Sequence, residues 1–295
     1  MREIRSPKED EVPRQKEIWK RCFGDSTDYI DFFYANCYNK DETLLLLEDG
    51  EIISMLTMIP VKFVLADQRE CDAAMLYAVA THPRYQGRGA ATCLMESAHR
   101  HLLEKGQVFS VVVPGAPSLF DFYRKQGYRE GFLVREALYT REEIMAMSGE
   151  GTGKCRISGI SPQEYNRIRN EMLHGHLYVS YSDREISYQK KWSQLSGADI
   201  YRIEAEGWEG CAAVERHNIE KIVVKELLIP GKVLTTAVQQ IAKELPARQY
   251  VIRTPAFWRG HLDGVIRPFG MFRNIQATEC EITLLDYGYL GLAFD

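Results

Sequence analysis

The chain has 295 residues, which at roughly 100–200 residues per domain predicts two domains or one large one. Its 37 Lys and Arg residues against 41 Asp and Glu residues give a net charge of −4, and 45% of the residues are hydrophobic. This composition is that of a globular protein and excludes extensive disorder. It also argues against nucleic-acid and membrane-surface partners, because both require a basic face.

The sequence predicts a cytoplasmic protein. No apolar run reaches the roughly 18 residues that a membrane-spanning helix needs, and the first residues, MREIRSPKEDEVPRQKE, are too charged for a signal peptide. The seven cysteines include no Cys-x-x-Cys pair, which argues against a disulfide framework or a zinc knuckle. We expect no metal site, because His174 and His176 have no further ligand at a suitable spacing.

Two short helices and two strands are predicted first. Apolar residues recur at helical spacing on both sides of Gly24, and most of their aromatic side chains are expected in the core; these aromatics are Trp19, Phe23, Tyr29, Phe32, Phe33 and Tyr34. Strands over 43–48 and 51–64 are joined by an Asp-Gly turn, and Pro60 predicts a bend or break in the second.

The next segment predicts strand, loop, helix, strand, loop and helix, which is the pattern of α/β packing. The strands cover 74–80 and 108–113, and a helical stripe from Ala91 to Leu102 lies between them. Ser118 is expected to cap a short helix that contains Tyr123 and closes at Gly127.

The second half is predicted to repeat the architecture of the first. Small residues over 148–153 suggest a linker, so we expect domains at 1–150 and 151–295. Strand, hairpin, strand, helix and strand occur over 43–113 and again over 199–252, with a turn predicted at His217-Asn218. The two copies show no repeat at the level of individual residues.

The segment 79–91, Val-Ala-Thr-His-Pro-Arg-Tyr-Gln-Gly-Arg-Gly-Ala-Ala, carries the chemical signal. A buried strand ends, a loop follows, and an amphipathic helix begins. Unpaired N–H groups and the helix dipole at such a start favour a phosphate or pyrophosphate. Gly87 and Gly89 allow close approach of a ligand, while Arg84 and Arg88 can neutralise phosphates. A dinucleotide-binding Gly-x-Gly-x-x-Gly pattern fails, because Thr92 stands at its third glycine.

At these residues the sequence resembles the GNAT superfamily of acetyl-CoA-dependent N-acetyltransferases, whose signature is Arg/Gln-x-x-Gly-x-Gly/Ala between a strand and a helix. The resemblance implies an α/β (α+β) GNAT fold with a mixed, splayed central sheet and acetyl-CoA as co-substrate. It implies a pantetheine arm between the fourth and fifth strands, flanked by the helix at Ser118. The implied cofactor-binding residues are Tyr77, Ala78, Val79, Ala80, Arg84, Tyr85, Gln86, Gly87, Arg88, Gly89, Ala90 and Ser118.

The resemblance also extends to a closing motif, Tyr123-Arg-Lys-Gln-Gly127-Tyr128, and implies that Tyr123 is the catalytic residue beside the thioester sulfur. A phenol of pKa near 10 is protonated at neutral pH and can donate a proton or a strong hydrogen bond to a departing thiolate of pKa about 8.5. A backbone N–H near Val79 would meet the oxyanion. Nothing in the sequence selects a general base, for which Asp121 and Glu48 stay open.

The length and layout resemble the enhanced-intracellular-survival (Eis-like) acetyltransferases, which have a catalytic GNAT domain, a degenerate GNAT-like domain and a sterol-carrier-like domain. We expect the first two and no full third domain. The apolar tail before Asp295 suggests a docked terminus, either tucked into the second domain or offering Asp295 as base. The segment from Leu228 to Val233 has one glycine and no arginine, so the second half is not expected to bind coenzyme A.

The leading hypothesis is an acetyl-CoA-dependent N-acetyltransferase that acts by direct attack of a primary amine. The acceptor is a small-molecule or peptide amine, and homo-oligomerisation stays open. The rival hypotheses are a non-catalytic acyl-CoA-binding or sensor protein and a purely structural scaffold.

Overall fold

The computed structural model describes residues 1–148, 154–258, 262–276 and 287–294. Its helices are α1 (Val12–Phe23), α2 (Thr27–Asn36), α3 (Ala90–Glu104), α4 (Pro117–Lys125), α5 (Arg141–Ala146), α6 (Pro162–Met172), α7 (Asp183–Leu195) and α8 (Gly231–Glu244). Its strands are β1 (Arg2–Arg5), β2 (Thr43–Glu48), β3 (Glu51–Val64), β4 (Glu70–Thr81), β5 (Phe109–Val112), β6 (Arg129–Thr140), β7 (Cys155–Gly159), β8 (Tyr178–Ser180), β9 (Ile200–Ala205), β10 (Trp208–Asn218), β11 (Lys221–Leu228), β12 (Gln249–Pro255) and β13 (Val265–Asn274).

The chain forms two compact units, and each is discontinuous in sequence. The first takes in Met1–Phe63, Glu70–Glu130 and the described part of Gly270–Glu281; the second takes in Val64–Arg69 and the described parts of Gly131–Phe269 and Ile282–Asp295. The second half of β13 therefore belongs to the first unit. Apart from Ser148, the predicted linker over 148–153 lies outside the described residues, and the division into domains at residue 150 stays a prediction.

The first unit contains a mixed sheet in the order β1-β2-β3-β4-β5-β13. Strands β4 and β5 are parallel, whereas β1–β2, β2–β3 and β5–β13 are antiparallel. Helix α3 packs its buried stripe, which includes Leu94, Met95 and Leu102, against the apolar face of this sheet. The stripe predicted from the sequence is thus confirmed.

The second unit contains a sheet in the order β6-β12-β11-β10-β9-β7, with β11 and β12 parallel. Helix α8 buries Val233, Val238 and Ile241 in the core of this unit. The unit therefore repeats the layer arrangement of the first, with a helix covering a parallel strand pair.

The predicted architectural repeat is confirmed in detail. In the first unit four residue pairs, from Ala73–Phe109 to Leu76–Val112, form the parallel ladder. In the second unit four pairs, from Lys221–Gln249 to Val224–Ile252, do the same. In both, the first strand of the pair continues beyond the last registered pair and leads into the covering helix.

Three local predictions are wrong. Strand β3 runs through Pro60 without a break; Pro60 is exposed and lies three residues beyond the last pair with β2, Thr43–Thr57, so its missing N–H removes no bond of that ladder. The turn predicted at His217-Asn218 falls at residues 219–220, because β10 continues to Asn218. Of the six aromatics expected mostly in the core, only Trp19 and Phe33 are buried, and Phe23 is 46% exposed. Strands β1, β6, β7, β8 and β13 were not predicted.

Candidate active site

The glycine loop (residues 84–89) joins β4 to α3, as the sequence predicted. Gly87 and Gly89 both have φ near 74°, in the left-handed region that favours glycine, and Gly89 caps α3 without a side-chain hydrogen bond. Within the described residues, none of the backbone N–H groups of Gly87, Arg88, Gly89 and Ala90 donates a hydrogen bond. Four exposed or helix-terminal donors therefore stand available for an anion.

The charge of the glycine loop is uncompensated. Arg84 and Arg88 are exposed, and neither forms an ion pair with a carboxylate within the described residues. The Arg88 guanidinium instead lies over the Tyr85 ring at 5.5 Å from its centroid. Two free guanidinium groups beside the amino end of a helix create the positive potential that a diphosphate requires.

The protein itself holds the shape of this loop. The Tyr85 hydroxyl donates to Glu51 Oε2 at 2.7 Å, and the Gln86 side-chain amide donates to the Thr81 carbonyl at 2.9 Å. His82 is buried, and its Nδ1 accepts from the N–H of Arg84 at 3.3 Å. Burial lowers the pKa of His82, so the ring is neutral at pH 7. Three side chains thus hold the loop in shape, and none of them bonds the backbone N–H groups of residues 87–90.

Strand β4 departs from regular alternation at the predicted pantetheine segment. Leu76 and Val79, three residues apart, both pack against the apolar cluster beneath α3, and Ala78 between them has φ 50°. A two-residue period cannot place residues three apart on one face, so the alternation slips as in a β-bulge. The ladder with β5 ends at Leu76–Val112, which leaves the β5 side of Tyr77, Ala78, Val79 and Ala80 beyond that ladder.

Tyr123 on α4 lies in the same apolar cluster as Val79, Tyr85 and Ala90. Folding therefore brings together four residues that the sequence placed at the cofactor. The Tyr123 side chain is only 7% exposed, and burial raises its pKa to about 12. Its hydroxyl makes no hydrogen bond within the part of the chain that the structure describes, which leaves a protonated donor free for a ligand.

Ser118 does not cap α4, contrary to prediction. The N-cap is Ala116, Pro117 occupies the first turn, and no side chain caps the helix. Proline is well suited to this position because it has no N–H that would need a partner. Ser118 lies exposed in the first turn, so its hydroxyl is not engaged by the cap.

A buried polar network lies behind Tyr123, and sequence reasoning missed it. The Tyr128 hydroxyl lies between Ser110 Oγ at 2.5 Å and His99 Nε2 at 2.8 Å, and His99 Nδ1 faces Arg273 Nη1 at 3.3 Å. His99 stands on the buried stripe of α3. Its position four residues after Met95 was the one available signal, because that spacing places both on one helix face.

The opposite face of β4 carries an aromatic wall. Tyr77 contacts Trp19 and Phe33 of α1 and α2, with ring centroids 5.6 and 5.3 Å apart, and its hydroxyl is 2.7 Å from that of Tyr29. Trp19 and Phe33 are buried, as expected of core aromatics. Tyr29 and Tyr77 are partly exposed and present the polar edge of this wall.

Comparison with known families decides what this arrangement is. Residues 3–131 match the acetyltransferase (GNAT) domain model. This segment is a GNAT acetyltransferase domain. The glycine loop lies within this matched segment, whereas no curated protein sequence matches the chain.

Solved structures agree on the fold. A probable N-acyltransferase from Enterococcus faecalis superposes with TM-score 0.73 at 14% identity, covering 94% of this chain and 73% of its own. A GCN5-related N-acetyltransferase from Anabaena variabilis gives TM-score 0.71 at 14% identity, with 93% and 73% covered. Eis1 from Mycobacterium abscessus gives 0.67 at 12% identity, with 93% and 74% covered. The GNAT fold followed by a GNAT-like second half, as in Eis-like proteins, is thus confirmed.

The second unit lacks the phosphate-binding features of the GNAT loop. Pro230 caps α8, and the N–H of Val233 donates to the Pro230 carbonyl at 3.1 Å. On β11, beyond the parallel ladder, Glu226 is fully buried and paired with the guanidinium of Arg169 at 2.9 Å. A buried ion pair occupies strand positions that correspond to the pantetheine segment of β4, which supports the expectation that this half does not bind coenzyme A.

The proposed general bases have other partners. Glu48 pairs with Arg2 at 2.8 Å, and exposed Asp121 pairs with Arg124. The C-terminal tail is docked as expected: Leu290 is fully buried, and its carbonyl accepts from Arg169 at 2.9 Å. Asp295 lies outside the described residues.

The described residues contain no candidate metal site and no candidate membrane-spanning helix. No cluster of three or more His, Cys, Asp or Glu side chains there could hold a metal ion. None of the helices in that part of the chain combines the length and apolar character needed to cross a membrane.

Proposed function

We propose that the chain transfers the acetyl group of acetyl-CoA to a primary amine by direct attack. The observation that carries this proposal is the set of unpartnered amides at residues 87–90 beside two unpaired arginines. Unpartnered amides at a helix start and guanidinium groups are donors that suit a diphosphate such as that of coenzyme A. The β4 segment beyond the β5 ladder would then hold the pantetheine arm through its backbone groups.

The chemistry needs four events. A neutral amine attacks the thioester carbonyl carbon, and the carbonyl oxygen becomes an oxyanion that the N–H of Val79 would stabilise. The carbon–sulfur bond breaks, the sulfur leaves with the electron pair, and the amine nitrogen gives its proton to water or a base. We assign no protein base, since Glu48 and Asp121 are both in ion pairs.

We assign Tyr123 the role of general acid toward the departing sulfur. Its pKa of about 12 keeps the phenol protonated throughout the physiological range. Complete transfer to a thiolate of ordinary pKa, about 8.5, would cost on the order of 5 kcal/mol. This difference in pKa favours a strong hydrogen bond from the Tyr123 hydroxyl to the departing sulfur. Complete transfer of the proton to that sulfur is less favourable.

The acceptor is proposed only as a class, a small-molecule or peptide amine. Its approach from the side of the Tyr29–Tyr77 wall would place it opposite Tyr123, since Tyr77 and Val79 lie on different faces of β4. The cytoplasmic location inferred from the cysteines and the charged start of the chain stays a prediction, as does homo-oligomerisation.

Isothermal titration of the full chain with acetyl-CoA tests the cofactor. We expect micromolar-range binding, and the absence of binding would overturn the proposal. A panel of aminoglycosides, polyamines, amino acids and peptides, followed by release of free thiol, then tests catalysis. Binding without turnover on any amine would favour the rival, a non-catalytic acyl-CoA sensor.

A further inference from the structure

The polar network behind Tyr123 has a fixed direction of hydrogen bonding. Arginine carries donors and no acceptor, so at the 3.3 Å contact His99 Nδ1 must accept from Arg273. Burial lowers the pKa of His99 to about 4, so the ring is neutral and its one proton lies on Nε2. Nε2–H then donates to the Tyr128 hydroxyl, and that hydroxyl donates to Ser110 Oγ.

The same residues fix the end of α4. Arg273 Nη1 donates to the Gln126 carbonyl at 2.8 Å, and the N–H groups of Gln126 and Tyr128 donate to the Tyr123 carbonyl at 2.9 and 3.1 Å. Gly127 between them has φ 79°, and a Cβ there would lie 3.4 Å from the Arg273 side chain. The backbone of Tyr123 is therefore held by a turn that Arg273 clamps.

The Tyr123 side chain depends on the same network. Its ring meets the Tyr128 ring edge to face, with centroids 5.7 Å apart and planes at 70°. The Tyr123 hydroxyl has no hydrogen bond of its own within the described residues. Packing consequently sets its direction, against the Phe122 ring at 5.1 Å between centroids and against the Tyr128 ring, whose own hydroxyl is held at both sides.

We propose that Arg273, His99, Tyr128 and Ser110 form a positioning network that aims the Tyr123 hydroxyl at the thioester sulfur. This inference rests on the proposed function of Tyr123. None of the four needs to touch the substrate; they act through Tyr123. Arg273 lies about 150 residues after the acid it positions and reaches it because residues 270–276 belong to the first unit.

Replacing Tyr128 by Phe tests the network, since it removes the central hydroxyl and keeps the ring. With an amine found in the panel, we expect kcat to fall roughly tenfold and KM for acetyl-CoA to change less than twofold, because small misplacements of a catalytic group act on turnover. Arg273→Met should lower kcat likewise, and Arg273→Lys, which keeps a donor, should recover part of it.

The matched control is Tyr250→Phe in the second unit. Tyr250 is equally buried, and its hydroxyl bonds the Ala247 N–H and the Leu245 carbonyl. Its loss should lower stability in a similar way and leave kcat unchanged. If Tyr123→Phe impairs turnover and Tyr128→Phe does not, the positioning network is overturned; if neither variant impairs turnover, the acid role itself fails.

A measurement on the unmodified protein needs neither an acceptor nor a variant. Two-bond ¹H–¹⁵N spectra distinguish the two neutral histidine tautomers. We expect the His99 proton on Nε2 at pH 7. A proton on Nδ1, or a charged ring, would reverse or break the chain of donors and overturn the proposal.

Discussion

Tyr123 combines burial with a hydroxyl that has no hydrogen bond within the described residues. Buried tyrosine hydroxyls normally find a partner, because an unpaired polar group in the interior costs on the order of 1–3 kcal/mol. Tyr128, five residues later, follows that rule with two partners. The Tyr123 hydroxyl is not among the fully buried polar atoms that have no partner, so it retains accessible surface from which a ligand could reach it.

Tyr123→Phe should therefore lower turnover with little loss of stability. No protein hydrogen bond is broken, so we expect kcat to fall about 10²-fold, and the affinity for acetyl-CoA to stay within about twofold, because the ring keeps its packing. Stopped-flow turnover and calorimetric titration measure the two quantities. An unchanged kcat would remove Tyr123 from the mechanism.

His99 should make folding sensitive to acid. Its pKa is about 4 in the folded protein and near 6.5 when unfolded, so the unfolded state binds the proton more readily between these values. The stability that neutral His99 contributes is full above pH 6.5 and is lost as the pH falls toward 4. A pKa difference of about 2.5 units at about 1.36 kcal/mol each gives an upper limit of about 3 kcal/mol.

We predict that His99→Gln flattens this dependence of the unfolding free energy on pH, measured by urea unfolding from pH 7.5 to 4.5. Exposed His174 is the matched position: His174→Gln should leave the slope unchanged, and an equal slope in both variants would contradict the prediction.

Local elements with a strong pattern could be predicted from the sequence. Helix α3 carries a regular apolar stripe and the glycine loop carries its own turn residues, so both were predicted within a residue or two. Strand β13 was missed, because Pro268 interrupts its pattern and its partner β5 lies more than 150 residues earlier. The slip at Ala78 was also unforeseen, since nothing in an alanine announces a positive φ.

The glycine loop supplies a test at the level of an element. In Gly89→Ala the added Cβ has no neighbour within 4 Å. The alanine must nevertheless adopt φ near 74°, which costs about 1 kcal/mol. We expect the loop to shift and acetyl-CoA binding to weaken at least tenfold, because several amides must face one diphosphate together.

Gly106 provides the control for that substitution. It follows the other end of α3, has φ 76° and also leaves open space for a Cβ. Gly106→Ala should lower the melting temperature as much as Gly89→Ala while leaving calorimetric binding of acetyl-CoA intact. Equal affinities in the two variants would show that the amides at 87–90 do not hold the cofactor.

At the scale of the whole molecule, the first unit is not a continuous stretch of sequence. Residues 271–274 of β13 pair antiparallel with the whole of β5, from Met271–Val112 to Asn274–Phe109. Phe272 packs with Phe63 and Phe109, at 5.2 and 6.0 Å between centroids. The linker predicted near residue 150 suggested an N-terminal domain that folds alone, whereas the contacts assign part of its sheet to the C-terminal half.

A fragment of residues 1–148 should consequently fail to form a stable acetyl-CoA site. It would expose the β5 edge and Phe109, and it would leave Gln126 and His99 without Arg273, so the turn after Tyr123 would lose its clamp. We predict no cooperative thermal transition by circular dichroism and no binding by calorimetry.

Joining residues 262–276 to this fragment through a flexible linker should restore both the thermal transition and the binding. The same addition with Arg273→Met should restore the thermal transition more fully than turnover. A fragment 1–148 that melts cooperatively and binds acetyl-CoA as the full chain does would show that β13 is dispensable, and that the boundary near residue 150 marks an independent domain.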